Sequence, residues 1–447
     1  MLGVLLTGQV MASMDGSIVS VAAETIRDDL HAGGTAIQLI VSGYLLTVGV
    51  LLVTCARLGD VIGQRRAFLV GLGWFTGASL LCGLAPGVNV LVLARIAQAM
   101  GAALLTPQIF SLIQTHWDGT ARRRAIGLYS MVLALGVALG QVVGGLVVSA
   151  DLFGLSWRPV FLINIPIGVL ALVAGPRLLP YSPGDDRVRL DPGGVAGLTA
   201  AMTAITVPLI FGRELGWPVW TWVSLAGGVA LTVGFVRYET RARHPLLDLA
   251  SVRPAGVKPG LAACWTVMGC YTVFLLTLTL HLQTALGFSP LEAGLAFVPY
   301  ALGFGTLSLT WTRYPAALRR GLPIAGPIAF AAGAALLVLL CRDQWRPALS
   351  VPLLLLAGAG HAAGYSPLIA RITSLVEPRM ASAISALNAT GPVLAGVTAV
   401  AGLGSVYFAA PASADGLVRV VVAVALLLAA GTACAVRVTL TSRDPAG

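Results

Sequence analysis

Of the 447 residues, 57% are hydrophobic and only 10% are charged, with a mean hydropathy of +0.89. A soluble globular domain carries about a quarter charged residues, so this composition excludes one and points to a polytopic membrane protein. The net charge of +10 is scattered among short segments between apolar stretches, which excludes a nucleic-acid groove and leaves membrane orientation and contact with anionic lipid as its meaning.

Apolar windows of about twenty residues predict spans over 2–23, 36–56, 67–86, 88–113, 125–149 and 159–179. Two more are predicted over 193–212 and 217–236, and six over 259–282, 291–312, 321–341, 348–370, 381–409 and 417–436. The expected architecture is all-α, with fourteen transmembrane helices arranged six, two, six. It divides into an N-terminal lobe over 1–180, two inserted helices with cytoplasmic linkers over 181–256, and a C-terminal lobe over 257–447. The first span lacks a basic leading region, carries Asp15 and runs on without a convincing cleavage site, so it is expected to remain in the mature protein, with residues before Met1 left open. With the N-terminus inside, cytoplasmic segments hold 21 of the 28 Lys and Arg residues and outer loops hold six, which places both termini in the cytoplasm.

Between the second and third spans runs RLGDVIGQRR, Arg57 to Arg66. Gly59 and Gly63 suit tight chain reversal. Asp60, set among Arg57, Arg65 and Arg66, can grip a basic group or helix terminus on a neighbouring span and release it when helices tilt. The reading is a gating latch; the plainer alternative is a cytoplasmic anchor. At membrane depth, Asp15 lies roughly 20 Å from the cytoplasmic edge and Arg95 roughly 10 Å from the outer face, which puts both at similar depth in a core about 30 Å thick. They are the one clear intramembrane ionised pair, and charges there are costly unless they meet each other or a polar cavity. Asp15 is therefore read as a proton carrier and Arg95 as its modulator, against the alternative of a static pair joining two helices.

In the fifth span Gly136, Gly140 and Gly144 fall on one helix face, with Gly145 beside the last, forming a close-packing stripe. Gln38, Tyr44, Gln98, His361 and Asn388 are candidates for a substrate path, and with Gln108 and Asn164 they are equally candidates for interhelical hydrogen bonds. His361 stands out because it titrates and sits in the run GAGHAAG, with little side-chain bulk around it. Ser289, Pro290 and Glu292 read as a capping box with proline in the first turn. All six cysteines lie in or beside apolar spans without metal-ligand spacing, so no metal site is expected.

These motifs together resemble the fourteen-helix drug:proton antiporters of the major facilitator superfamily. MDGSIVSVA, from Met14 to Ala22, is similar to the family's first-helix motif with Asp15 in its acidic place, though Ser20 replaces the usual Asn and Glu24 the usual Pro. RLGDVIGQRR resembles the superfamily loop motif, with Ala56 in place of its leading Gly. LARIAQAMGAA, from Leu93 to Ala103, puts Arg95 and Gln98 in register with the fourth-helix motif, with Ala99 for a usual Gly. WRPVFLINIPIG (Trp157 to Gly168) and LQTALGFSPLEAGLAFVP (Leu282 to Pro299) are long and specific. Two departures stand out. Gln141 follows Gly140 where the antiporter motif has Pro, and the second-half counterpart of the charged loop, Arg313 to Gly321, has Arg319 and Arg320 but no aspartate.

The resemblance implies alternating access between two rocking lobes in the cytoplasmic membrane, and proton-driven efflux of amphipathic or cationic drugs or an endogenous antibiotic. It implies a monomer in contact with membrane lipids, with the proton gradient as energy source and no cofactor. Facilitated uptake of a small metabolite is the alternative. A membrane-embedded enzyme is the remote one, since neither HExxH nor a nucleophile elbow lies at membrane depth.

Overall fold

The computed structural model describes residues 1–184, 191–212, 215–242, 249–376 and 381–441, and no strand occurs among them. Hydrocarbon offers no partner to a backbone N–H or C=O, so a chain that crosses it satisfies these groups within helices. Thirteen described segments are long and apolar enough to cross a membrane, and a shorter apolar stretch, Leu139–Ser149, lies where the fifth span was expected. Several other side chains of that expected span, 125–149, lie outside the described residues.

Contacts divide the chain into two units. The first comprises 1–246 together with Phe288–Leu295. It contains α1 (Leu2–Asp29), α2 (Gly34–Ile62), α3 (Gln64–Gly83), α4 (Val88–His116), α5 (Gly119–Ser149), the short α6 (Pro159–Leu162), α7 (Asn164–Leu178), α8 (Pro192–Phe211) and α9 (Val219–Glu239). The helices of the expected insertion thus cluster with this unit, where α8 packs on α2. Asp191 caps α8 by accepting from Gly194 N at 2.9 Å and ties it to α9 by accepting from the Tyr238 hydroxyl at 2.8 Å. Helices α3 and α4 approach through opposed glycines: a Cβ on Gly71 would sit 2.7 Å from Leu105 N, and one on Gly101 would strike the Phe75 backbone. Phe68, Leu72 and Phe75 of α3 meet Leu105, Ile109 and Leu112 of α4 in the core of this unit.

The second unit comprises 247–287 and 296–447. It holds α10 (Val257–Thr284), nearly all of the tenth span beyond the short α11 (Pro290–Ala296), namely α12 (Val298–Thr310), and then α13 (Ala316–Cys341), α14 (Pro347–Ser374), α15 (Ala381–Phe408) and α16 (Ser413–Thr441). The sixth and tenth expected spans are each two consecutive helices, broken at Ile163 and Phe297. Pro166 and Pro299 follow these breaks and lack the N–H that would carry the ladder through them. The capping box is formed as the sequence suggested: Glu292 accepts from the Ser289 backbone N–H and hydroxyl, each at 2.8 Å, and Glu292 N donates to Ser289 Oγ at 3.3 Å.

The charged turn is shorter than expected. Helix α2 continues through Arg57, Gly59 and Asp60 to Ile62, and α3 starts at Gln64, so Gly63 alone makes the break. Its φ of 92° lies in the left-handed region, and a Cβ would also strike the Ser182 carbonyl, so the position is glycine for both reasons. The rest of RLGDVIGQRR is helix because nothing at the membrane surface penalises extending α2 with polar residues.

Candidate functional site

The two intramembrane charges come together in the first unit. Arg95 Nη1 on α4 donates to Asp15 Oδ2 on α1 at 2.5 Å, with Asp15 fully buried and Arg95 1% exposed. Gln98, one turn along α4, completes the site: its Nε2 donates to Asp15 Oδ1 and to Ser79 Oγ on α3, each at 2.8 Å, and its Oε1 accepts from Arg95 Nη1 at 2.5 Å. Asn164, the first residue of α7, sends Nδ2 toward Asp15 Oδ1 and Ser79 Oγ at 3.4 Å. The Arg95 guanidinium lies 4.0 Å over the Tyr44 ring of α2 and 5.6 Å from the Phe161 ring of α6. Desolvated π faces of this kind hold a cation without neutralising the nearby carboxylate. One carboxylate is thus gripped by donors from two helices and sits at the meeting point of six, an arrangement through which a change of one charge can act on all of them.

This geometry explains WRPVFLINIPIG as one working face. Trp157 Nε1 and Arg158 Nη1 both donate to Asp29 Oδ2 at the end of α1, at 2.8 and 2.9 Å. Four residues on, Phe161 faces Arg95; three further, Asn164 reaches Asp15; four further, Gly168 admits the Thr76 side chain of α3, which a Cβ would strike. Spacings of three and four keep all of them on one side of a helix. Asp29 was invisible in the sequence as a partner, because a carboxylate at a helix end is by default solvated.

The glycine stripe packs α5 against α1 on either side of Asp15. A Cβ on Gly136 would meet the Ser13 side chain at 2.6 Å, one on Gly140 the Met14 carbonyl at 2.5 Å and the Ser17 hydroxyl, and one on Gly144 the Ile18 side chain at 2.6 Å. Gly145 turns instead to Pro290 and Leu291. Gln141 donates Nε2 to the Ser17 carbonyl at 2.9 Å, so the residue in the expected proline position adds an α5 to α1 hydrogen bond.

In the charged segment, Arg65 Nη2 donates to the Pro176 carbonyl at 2.5 Å, joining the start of α3 to the last turn of α7. Asp60 is exposed on the last turn of α2, where Gln64 Nε2 reaches its Oδ1 at 3.5 Å, and Arg57 lies one turn earlier and Arg66 just past the break. A Cβ on Gly59 would strike the Gln108 amide, which itself bonds to the Cys55 carbonyl at 2.8 Å, so Gly59 serves close approach between α2 and α4 and not the turn. Gln38 is buried on α2 with its Oε1 unpartnered among the described residues.

The surroundings of His361 are bulkier than the sequence suggested. The residue is 2% exposed in the second unit and is crowded by rings, those of Phe304 at 4.7 Å, Tyr271 at 4.8 Å and Phe330 at 5.9 Å. The glycines of GAGHAAG cause this crowding: Gly358 rests on the Tyr300 backbone and Gly360 on that of Phe330, so α12 and α13 bring their aromatic side chains in. Asn388 on α15 is half-buried and accepts from the Tyr365 hydroxyl at 3.3 Å. Among the described residues no group of His, Cys, Asp and Glu is arranged to hold a metal ion.

Comparison with known proteins bears on what such a molecule is. The family model described as Major Facilitator Superfamily matches residues 5–400. The "Probable actinorhodin transporter" of Streptomyces coelicolor is 40% identical over 305 residues, 67% of this chain, a match spanning only about half (53%) of that relative's length. The "Puromycin resistance protein pur8" of Streptomyces alboniger is 34% identical over 423 residues, covering 92% of this chain and 82% of that one. Among solved structures, a bacterial homolog of the human lysosomal transporter Spinster superposes with a TM-score of 0.70 over 100% of this chain and 98% of the other. At 17% identity that likeness concerns the fold alone.

Proposed function

Since the chain belongs to the major facilitator superfamily, we propose that it exports amphipathic or cationic small molecules, drugs or an endogenous antibiotic, across the cytoplasmic membrane in exchange for protons. The observation that carries the reading is the Asp15, Arg95 and Gln98 network, a carboxylate fully buried among apolar helices and bonded to a buried guanidinium. Protonation of Asp15 removes the charge that holds Arg95, while Gln98 and Asn164 still offer hydrogen bonds, so the proton changes which helix packing is favoured without leaving the site unsatisfied. Coupling follows if proton and substrate favour different states, because a ligand indifferent to the two shifts nothing. The names of the relatives, a transporter and a resistance protein, support export as the direction.

The test is dye movement in inverted vesicles. An acidic lumen should drive accumulation of a cationic dye above its equilibrium level, and a protonophore should abolish it. Downhill equilibration that ignores the gradient would instead identify a facilitator.

Two subsidiary expectations belong to this reading. Both termini face the cytoplasm, as the distribution of basic residues requires, so a reporter active only outside the membrane stays dark when fused after Gly447. The segment around Gly63 acts as a gate with Asp60 as its latch. Asp60→Asn should insert at normal levels but turn over about tenfold more slowly, the effect of losing roughly 1.4 kcal/mol from one side of a two-state equilibrium. Unchanged transport at matched expression would reduce the segment to a cytoplasmic anchor.

A further inference from the structure

The second unit holds a buried histidine that the coupling network does not use. Its Nδ1 lies 2.9 Å from the Tyr300 hydroxyl and its Nε2 3.2 Å from Met268 Sδ. These two neighbours fix the tautomer. If Nδ1 carried the hydrogen, the Nε2 lone pair would face the lone pairs of a thioether; with the Tyr300 hydroxyl donating to Nδ1, the Nε2–H points at sulfur. A thioether is a weak acceptor on a flexible side chain, so a strong donor is covered by the most replaceable of partners.

Among the described residues of this unit, what surrounds that donor is aromatic and lacks anions. Met268, Tyr271, Phe304 and Tyr365 are each half-buried around the buried imidazole, and the imidazole lies within 23° of parallel to Phe330. On the same face of α10, three residues before Met268, Trp265 offers an Nε1–H that is buried without a partner among the described residues. The carboxylates described in this unit are Asp343, beside Arg342 after α13, and Asp415, in the first turn of α16, so none faces the imidazole.

We propose that these residues form a binding subsite for planar aromatic molecules that carry a neutral hydrogen-bond acceptor such as a ring carbonyl. The ligand's ring packs against Tyr271, Phe304 and Tyr365, its acceptor takes the His361 Nε2–H, and Met268 swings aside. Displacing a thioether with a carbonyl improves the hydrogen bond at small cost, since methionine repacks easily. Trp265 supplies a second donor for a ligand with two acceptors. The role of the subsite in selecting cargo rests on the exporter reading, whereas binding itself does not.

The probes are 9,10-anthraquinone and anthracene, similar in shape and differing in their acceptors. Equilibrium dialysis of full-length protein in nanodiscs, corrected with empty discs of the same lipid, should show a preference of about tenfold for the anthraquinone, the effect of one good buried hydrogen bond. His361→Phe, which keeps a ring and removes the donor, should erase the preference. Tyr300→Phe, which frees the tautomer, should cut it about threefold and decides the matter if His361→Phe fails to fold. Equal binding of both probes to the unaltered protein overturns the proposal, as does a preference that survives both substitutions. Tetraphenylphosphonium binding that depends on His361 while anthraquinone binding does not would also overturn it, in favour of a cation cage. Loss of gradient-driven export with His361-dependent binding intact would count against the exporter reading alone; export without such binding would count against the subsite alone.

Discussion

Asp15→Asn should abolish export driven by a pH gradient while leaving the shape of the site nearly intact. Asparagine keeps an oxygen for Arg95 or Gln98 to donate to, at the positions now bridged at 2.5 and 2.8 Å, but it has no proton to release. Substrate binding should remain within a few fold of normal. Arg95, buried and over the Tyr44 ring, is then left with an uncompensated charge. That costs about 3 kcal/mol, the low end for breaking a buried pair, so the variant should also melt earlier. Adding Arg95→Gln removes the stranded charge, and the double variant should recover stability but not transport. Proton-coupled dye efflux from reconstituted vesicles, read beside thermal melting, separates the two effects. Full gradient-driven export by Asp15→Asn would move the search for the proton site to Glu24 and His361.

The second large effect is expected at the seam between α5 and α1. Gly140→Val puts a branched side chain where a single Cβ already falls 2.5 Å from the Met14 carbonyl. Backbone cannot yield as a side-chain tip can, so α1 must move off α5, at a cost of about 1–3 kcal/mol. Asp15 is the residue after Met14, and the movement carries it away from donors on α4 that hold it at hydrogen-bond distance. Transport should fall by tenfold or more, with Gly140→Ala intermediate, at equal amounts of inserted protein. Undiminished export by the valine variant would show that the helices cycle without needing this contact.

The charged pair was legible in the sequence because ionised residues inside apolar spans are so few that Asp15 and Arg95 had only each other to meet. The capping box of Ser289 and Glu292 was legible for a different reason: all of its partners lie within four residues. Where the partner came from another helix, reading failed in proportion to how ordinary each half looked alone. Ser79 is one serine among many and Asp29 one carboxylate at a helix end, yet the first shares Gln98 with Asp15 and the second takes both donors of Trp157 and Arg158. The lack of bulk around His361 was misread because its sequence neighbours are small. A helix's own small residues do not report open space; they report how closely the next helix can come. Gly59 was misassigned in the same way, to a turn that Gly63 makes alone.

The face that runs from Trp157, in the turn before α6, to Gly168 on α7 also fixes how this protein can change in evolution. Adding or removing one residue between Trp157 and Asn164 turns everything beyond it by about 100° and shifts it by about 1.5 Å. With Asp29 still gripping Trp157, Asn164 would then point away from Asp15, and Gly168 would no longer lie opposite Thr76. A change of length along this stretch therefore disturbs every contact beyond it at once: it is a ruler, with its zero at Asp29 and its reading at the buried carboxylate.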